Sequence, residues 1–225
     1  FMSIVRENRS VLDLLTADYT YVNEDLARHY GIPGVTGEQF RRVQYPDNRR
    51  SGLLGQGSIL TVTSYANRTS VVMRGKWVLE SILGVPVPPP PPNVPGLKEK
   101  GDGGKGTLRQ MMEAHRANPT CSGCHSLMDP IGFALENFDA IGQWHGTTKD
   151  GTPVDVDGAY PDGSKLRGIA GLRQTILSHR EQFAAFEPLK IQPAGAPVAS
   201  VGNHRHVSLE EDICRNPLVL TNSKP

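Results

Sequence analysis

Apolar positions in the first third of the chain come in short groups that predict short elements. Residues 1–33 read as helical, with an apolar cluster at Val11, Leu12, Leu14 and Leu15. Within them a second, short helix is expected to start at Asn23, a good N-cap, and to stop at Gly31 and Pro33. His29 falls in that helix and reads as a structural histidine. Residues 59–63, ILTVT, are rich in β-branched side chains and predict a short strand. Thr69 or Ser70 then caps a helix carrying Trp77, Val78 and Ile82, which Gly84 ends.

Later the 3.6-residue period is clearer. Leu108, Met111, Met112 and His115 fall at i, i+3, i+4 and i+7 and define one helical face. Ile131, Ala134, Leu135 and Phe138 repeat that spacing, with Asp129 expected as N-cap and Pro130 in the first helical position. A last helix is expected to place Leu172, Ile176, His179 and Phe183 on a shared face. Past residue 187 no periodicity is found.

Two segments interrupt this pattern. Residues 86–95, PVPPPPPNVP, allow neither a helix nor a central strand, because proline lacks the amide donor and fixes φ; a stiff polyproline II strap is expected. Residues 98–106, KEKGDGGKG, extend it as a solvated loop. Residues 146–168 are dense in Gly, Asp and Pro and predict turns with one small hairpin. The expected organisation is therefore 1–50 as the end of a preceding, mostly helical domain and 51–97 as a short strand and helix ending in the strap. A helical module follows over 98–187, and 188–225 forms an atypical tail.

Composition removes several functions. The 225 residues carry a net charge of +1, and no basic cluster is dense enough to follow a phosphate backbone, so nucleic acid is not an expected partner. No apolar run approaches bilayer-spanning length, and FMSIVRENRS lacks the regions of a signal peptide. The start at Phe1 suggests a piece of a longer protein. Three cysteines, with Cys214 alone near the end, do not make a disulfide framework.

Two of those cysteines stand in CSGCH, residues 121–125. Covalent haem attachment accounts for every fixed position of C-x-x-C-H: two thiols add across the porphyrin vinyl groups, and the adjacent histidine binds iron as proximal ligand. Cys121, Cys124 and His125 would have those roles. Zinc is a rival, but a structural site wants four ligands, and His115, His125 or Cys214 would have to complete it. A thioredoxin-like redox pair is another, although the βαβ pattern it belongs to is absent. The second axial ligand is open. Met128 stands too near His125 to reach the opposite face of the ring. Downstream candidates are His145, His179, His204 and His206, of which His179 is preferred for its apolar helical face. Met73, Met111, Met112 and His115 are the upstream candidates. Asp155, Asp157 and Gly158 resemble part of a calcium loop but lack its closing glutamate and read as turns. Asn67-Arg68-Thr69 fits a glycosylation sequon. Trp144 and His145 stand close enough behind the motif to line a pocket.

Longer strings carry a resemblance. DYTYVNEDLARHYGIPG, RSGLLGQGSILTVTSYANRTSVVMRGKWVLESILG, PPPPPNVP and HRANPTCSGCHSLMDPIGFALENFDAIGQW closely resemble the planctomycete-type multi-domain proteins built from cytochrome-c-like modules and adjoining domains of unknown function. CHSLMDPIGFALENFD is also similar to the segment after a haem motif in di-haem cytochrome c peroxidases, which need two such motifs where this chain has one. The resemblance implies a mainly α, cytochrome-c-like helical haem module with long Gly/Pro-rich loops and a small hairpin. It implies a c-type haem domain with a periplasmic or otherwise exported location within a larger bacterial protein whose biochemical role is unsettled, and the function expected from the single motif is electron transfer through one haem c to a redox partner. A peroxidase-like haem oxidoreductase with an open sixth site and a zinc-stabilised structural module are the alternatives. The tail from about residue 189 departs from the family pattern, which puts His204, His206 and Cys214 outside it.

Overall fold

The computed structural model describes residues 1–89, 107–159, 163 and 165–185, of which the side chains of 182, 184 and 185 are excepted. The loop at 98–106, most of the proline strap, the tail, and with it His204, His206 and Cys214, lie outside the described residues.

The chain opens with two short helices, α1 (Met2–Arg6) and α2 (Asp13–Thr16). Strand β1 (Tyr19–Val22) follows, in a stretch expected to be helical. Its sequence YTYV joins aromatic and β-branched residues, and these prefer a pleated, half-buried surface. β1 pairs antiparallel with β2 (Arg41–Gln44), Tyr19 opposite Gln44 and Val22 opposite Arg41. Between the strands runs α3 (Glu24–Tyr30), bounded as expected: Leu26 N–H donates to Asn23 Oδ1 at 3.0 Å, and Gly31 ends the helix at φ +70°. Val22, Ala27, Ile32 and Tyr45 close a small core over this ribbon. His29 Nε2 donates to the carbonyl of Ile141 at 2.8 Å, in keeping with a structural histidine.

The strand expected at 59–63 is instead a helix. After a 3-10 turn (Leu53–Gly55), α4 (Gly57–Val62) buries Leu60 completely. The hydroxyls that favoured a strand reading bond back along the helix, Thr61 Oγ1 to Gly57 O and Thr63 Oγ1 to Ile59 O, each at 2.7 Å. Burial of one leucine outweighs a β-propensity that spans only about 1 kcal/mol.

α5 (Val71–Trp77) starts at Ser70, whose Oγ accepts from Met73 N–H at 3.2 Å, and runs into one π-helical turn (Val78–Ile82) before Gly84 ends it at φ +66°. Next come α6 (Leu108–Arg116) and the long α7 (Pro119–Phe133). The expected hairpin is present as β3 (Asp157–Ala159) and β4 (Lys165–Arg167), and α8 (Gly168–Ser178) and α9 (Arg180–Ala185) complete the described chain. The fold is mainly helical.

α5 and α7 cross almost backbone to backbone. A Cβ on Gly75 would stand 2.0 Å from the Met128 carbonyl oxygen, and one on Gly132 would stand 2.0 Å from that of Val71. The hairpin crosses just as closely, since a Cβ on Gly158 would meet Pro130 O at 2.4 Å. Around this contact the main core takes Leu15, Leu60 and Val78 from before the proline strap and Ile131, Phe138 and Leu172 from after it. Arg74, fully buried on α5, seals the end of α7. Its Nη1 donates to the carbonyls of Leu135 and Phe138, both at 2.8 Å, and its Nη2 to that of Asp139 at 2.7 Å. Glu136 supplies the counter-charge at 3.2 Å and accepts from Thr69 Oγ1 at 2.8 Å.

Three predictions follow from this packing. Gly75→Ala and Gly132→Ala should each cost about 3 kcal/mol or more in urea unfolding, because backbone has to move apart. Gly123→Ala, on an open face of α7, should be neutral or stabilise by up to ~1 kcal/mol. Arg74→Met should cost about 3–5 kcal/mol, since it strands a buried carboxylate and three carbonyls, and Arg74→Lys should recover only part of that loss because an ammonium cannot span them. The third concerns pH. Burial pushes the Glu136 carboxyl above its ordinary value of 4.5, and Arg74 pulls it back only in part. The folded state therefore holds this proton more tightly than the unfolded chain. Its contribution to stability is complete below pH 4.5 and is lost as pH rises through the raised folded value. Wild-type stability should accordingly fall relative to Glu136→Gln above pH 4.5, and a difference that stays flat with pH would count against the assignment.

Candidate functional site

Asn118 and Pro119 start the helix that carries the motif. Asn118 Oδ1 accepts from Thr120 N–H at 3.0 Å, and proline occupies the first turn, where a missing N–H costs nothing. The start expected at Asp129 and Pro130 is corrected by this earlier one: Pro130 lies inside α7, in its last turn. There it removes one amide donor near an end already sealed by Arg74. The motif thus lies within α7 rather than between two helices.

Cys121, Cys124 and His125 stand at i, i+3 and i+4 and so share one face of this helix. Cys121 is buried, Cys124 is half-buried against the main core, and the His125 side chain is 14 % exposed. One turn further, Asp129 is fully buried and its Oδ1 lies 2.9 Å from His125 Nδ1. A carboxylate only accepts, so Nδ1 is the donor of this bond, and in a neutral imidazole with that tautomer Nε2 is the nitrogen that carries the lone pair. Asp129 Oδ2 is buried without a hydrogen bond, and the nearest cation, Arg116 Nε, is 3.9 Å away.

α6 closes over this face. Its capping box is complete, with Gln110 N–H donating to Thr107 Oγ1 at 3.2 Å and Thr107 N–H to Gln110 Oε1 at 2.9 Å. Arg109 pairs with Asp155 ahead of the hairpin and lies 4.0 Å over the Phe133 ring, while Met112 packs with Val71 and Phe133. The His115 ring meets that of His125 edge to face, with centroids 4.8 Å apart. Burial and the neighbouring His125 push the His115 imidazolium down, against the pull of Asp129.

The remaining candidates are distributed elsewhere. Met112 and Met128 are buried in apolar clusters. His179 ends α8 with Nδ1 3.0 Å from the Thr175 carbonyl and 3.1 Å from Ser178 Oγ, so the histidine brought to His125 is His115. His145 donates its backbone N–H to Asn137 O at 2.8 Å. Trp144 packs edge to face on Phe138, with centroids 5.1 Å apart, and also lines a cleft of about 310 Å³ with Arg49, Arg50, His29 and Tyr30 that includes no residue of the motif. Asp155 is engaged by Arg109, and Asp157 begins β3, so both serve the turn before the hairpin. Among the described residues, no group of three or more His, Cys, Asp or Glu is arranged to hold a metal ion. A four-ligand structural zinc site is therefore not assembled there. The donor set does fit haem c, which asks for two thiols and one imidazole on a single helical face. Reading residue by residue missed Asp129 as the partner of His125. The signal was present, because H-x-x-x-D on a helix sets the two side chains one turn apart.

Residues 50–148 match the family model of PSCyt3, a protein of unknown function (DUF1588), and residues 1–32 match that of PSD4, a protein of unknown function (DUF1592). Both are domains of planctomycete-type proteins, and the first match contains the whole of CSGCH. Neither match carries the cytochrome-c or peroxidase likeness. No curated protein and no solved structure matches the chain. Among the described residues no helix is long and apolar enough to cross a membrane.

Proposed function

We propose that this chain is an electron-transfer module with one covalently bound haem c, part of a larger, exported bacterial protein. The observation that carries the reading is the shared face of Cys121, Cys124 and His125 on α7, with His125 Nδ1 committed to Asp129 and Nε2 left for iron. The cytochrome element in the name PSCyt3 agrees with it. Bound haem supplies one-electron chemistry at its iron. The chain's own part is anchoring, orientation and exclusion of water: Cys121 and Cys124 fix the ring by thioether bonds, His125 sets the proximal field, and α6 with Met112 shields that side of α7. The redox partner is a separate protein or a neighbouring domain. His179, for its helical face, is the histidine to test as second axial ligand, since His115 packs directly on the His125 ring and stands on the side of α7 that α6 covers.

Protein expressed in the periplasm with the attachment machinery should retain haem after denaturation and show a sharp reduced α-band. Cys121→Ala/Cys124→Ala should fold yet lose the covalent haem, and each single variant should shift the band through loss of one thioether. If His179→Ala converts a low-spin spectrum to high-spin, that residue is the second ligand. A wild-type spectrum that is already high-spin would favour catalysis at an open site. Absence of covalent haem together with one bound zinc per chain would overturn the cytochrome reading.

A further inference from the structure

Among the described residues three buried side chains have an atom without a hydrogen bond, Arg74, Arg173 and Asp129, and Asp129 is the one acid of the three. It is fully buried, one oxygen faces His125, and the other has no hydrogen bond. An isolated buried carboxylate costs far more than helix packing returns, so its charge has to be matched nearby. Two groups can match it. His125 does so through Nδ1–H at 2.9 Å, and Arg116 from α6 approaches Oδ2 to 3.9 Å, beyond hydrogen-bond length. The carboxylate therefore acts mainly on His125.

We propose that Asp129 is the positioning residue of the haem site, holding His125 in the tautomer that presents Nε2 to iron and lowering the reduction potential of the bound haem, with Arg116 as the opposing charge. The inference rests on the haem reading above. A carboxylate on the distal nitrogen of a ligating imidazole fixes ring orientation and raises ligand basicity. Greater basicity and a buried negative charge both favour ferric over ferrous iron, because the oxidised form carries one more positive charge. Asp129 and His125 are four residues apart on one helix, so the pairing is fixed by the helix itself. Arg116 arrives on a separate helix, with its side chain 24 % exposed, so solvent weakens its opposing effect.

The test uses the full chain carrying covalent haem, and attachment is scored first, by haem retained after denaturation. Midpoint potential is then measured by spectroelectrochemical titration for wild type, Asp129→Asn and Arg116→Gln. Asparagine keeps an acceptor oxygen and nearly the same shape while removing the charge, so the expected result is retained haem with a raised potential. Arg116→Gln should lower it. Asp129→Asn with covalent haem and an unmoved potential would overturn the proposal and leave Asp129 a packing residue. Should Asp129→Asn fail to accumulate folded, Arg116→Gln decides, and an unmoved potential there overturns the proposal equally. A wild-type chain that takes up no haem overturns the haem reading itself, and it is recognised at the attachment step, before any potential is measured.

Discussion

The close crossing of α5 and α7 is the contact on which the rest of the structure depends. It requires glycine twice, at Gly75 against the Met128 carbonyl and at Gly132 against that of Val71, and no side chain at either place would allow the same approach. Between those contacts, residues 128–132 are held from several sides. Met128 and Ile131 fill the core, Asp129 is buried, and the Pro130 carbonyl faces Gly158 of the hairpin. Much of the remaining architecture is arranged to keep this segment of α7 in place.

Short elements joined by irregular chain leave many carbonyls in need of donors. The protein meets this with buried arginines rather than with more regular structure. Arg74 closes the end of α7, Arg50 bridges Gly55 O at 3.1 Å to Gly142 O at 2.6 Å, and Arg173 ties α8 to the carbonyls of Asn48 and Ser51 at 3.2 and 3.1 Å. Burial pushes all three guanidiniums down, yet a guanidinium stays charged in a protein. One planar fork reaching two or three carbonyls satisfies several backbone acceptors at once, which a lysine could not do.

What could be read in the sequence follows from where the deciding interactions act. Local chemistry was legible: Asn23 and Ser70 cap as expected, Gly31 and Gly84 stop their helices, and the Gly/Asp-rich segment yields β3 and β4. Long-range packing was not. Residues 59–63 look like a strand until Leu60 is known to fill the core, and β1 is recognisable only with its partner twenty residues on. Asp129-Pro130 gives a start signal as good as Asn118-Pro119, and sequence alone cannot rank them. The structure ranks them, because the Asp129 side chain is already committed to His125. In the same way the motif residues were evident from spacing, whereas His115 and Arg116 join the site only through the return of α6 onto α7.

The two ends of α7 therefore do different things for the same site. Its first turns carry the thiols and the imidazole, with Gly123 on an open face, while its last turns are fixed by the crossing, the hairpin and Arg74. Asp129 links the halves, one residue from the Met128 carbonyl and one turn from His125. A histidine whose orientation is set by a side chain anchored in this closely packed segment has little freedom to tilt or retreat. If the chain carries haem as proposed, electron transfer would benefit from such a site, since a ligand that keeps its geometry in both oxidation states is already arranged for either. The same rigidity makes the orphaned oxygen of Asp129 tolerable: the core around residues 128–132 holds it where local relaxation would otherwise turn it toward water or Arg116.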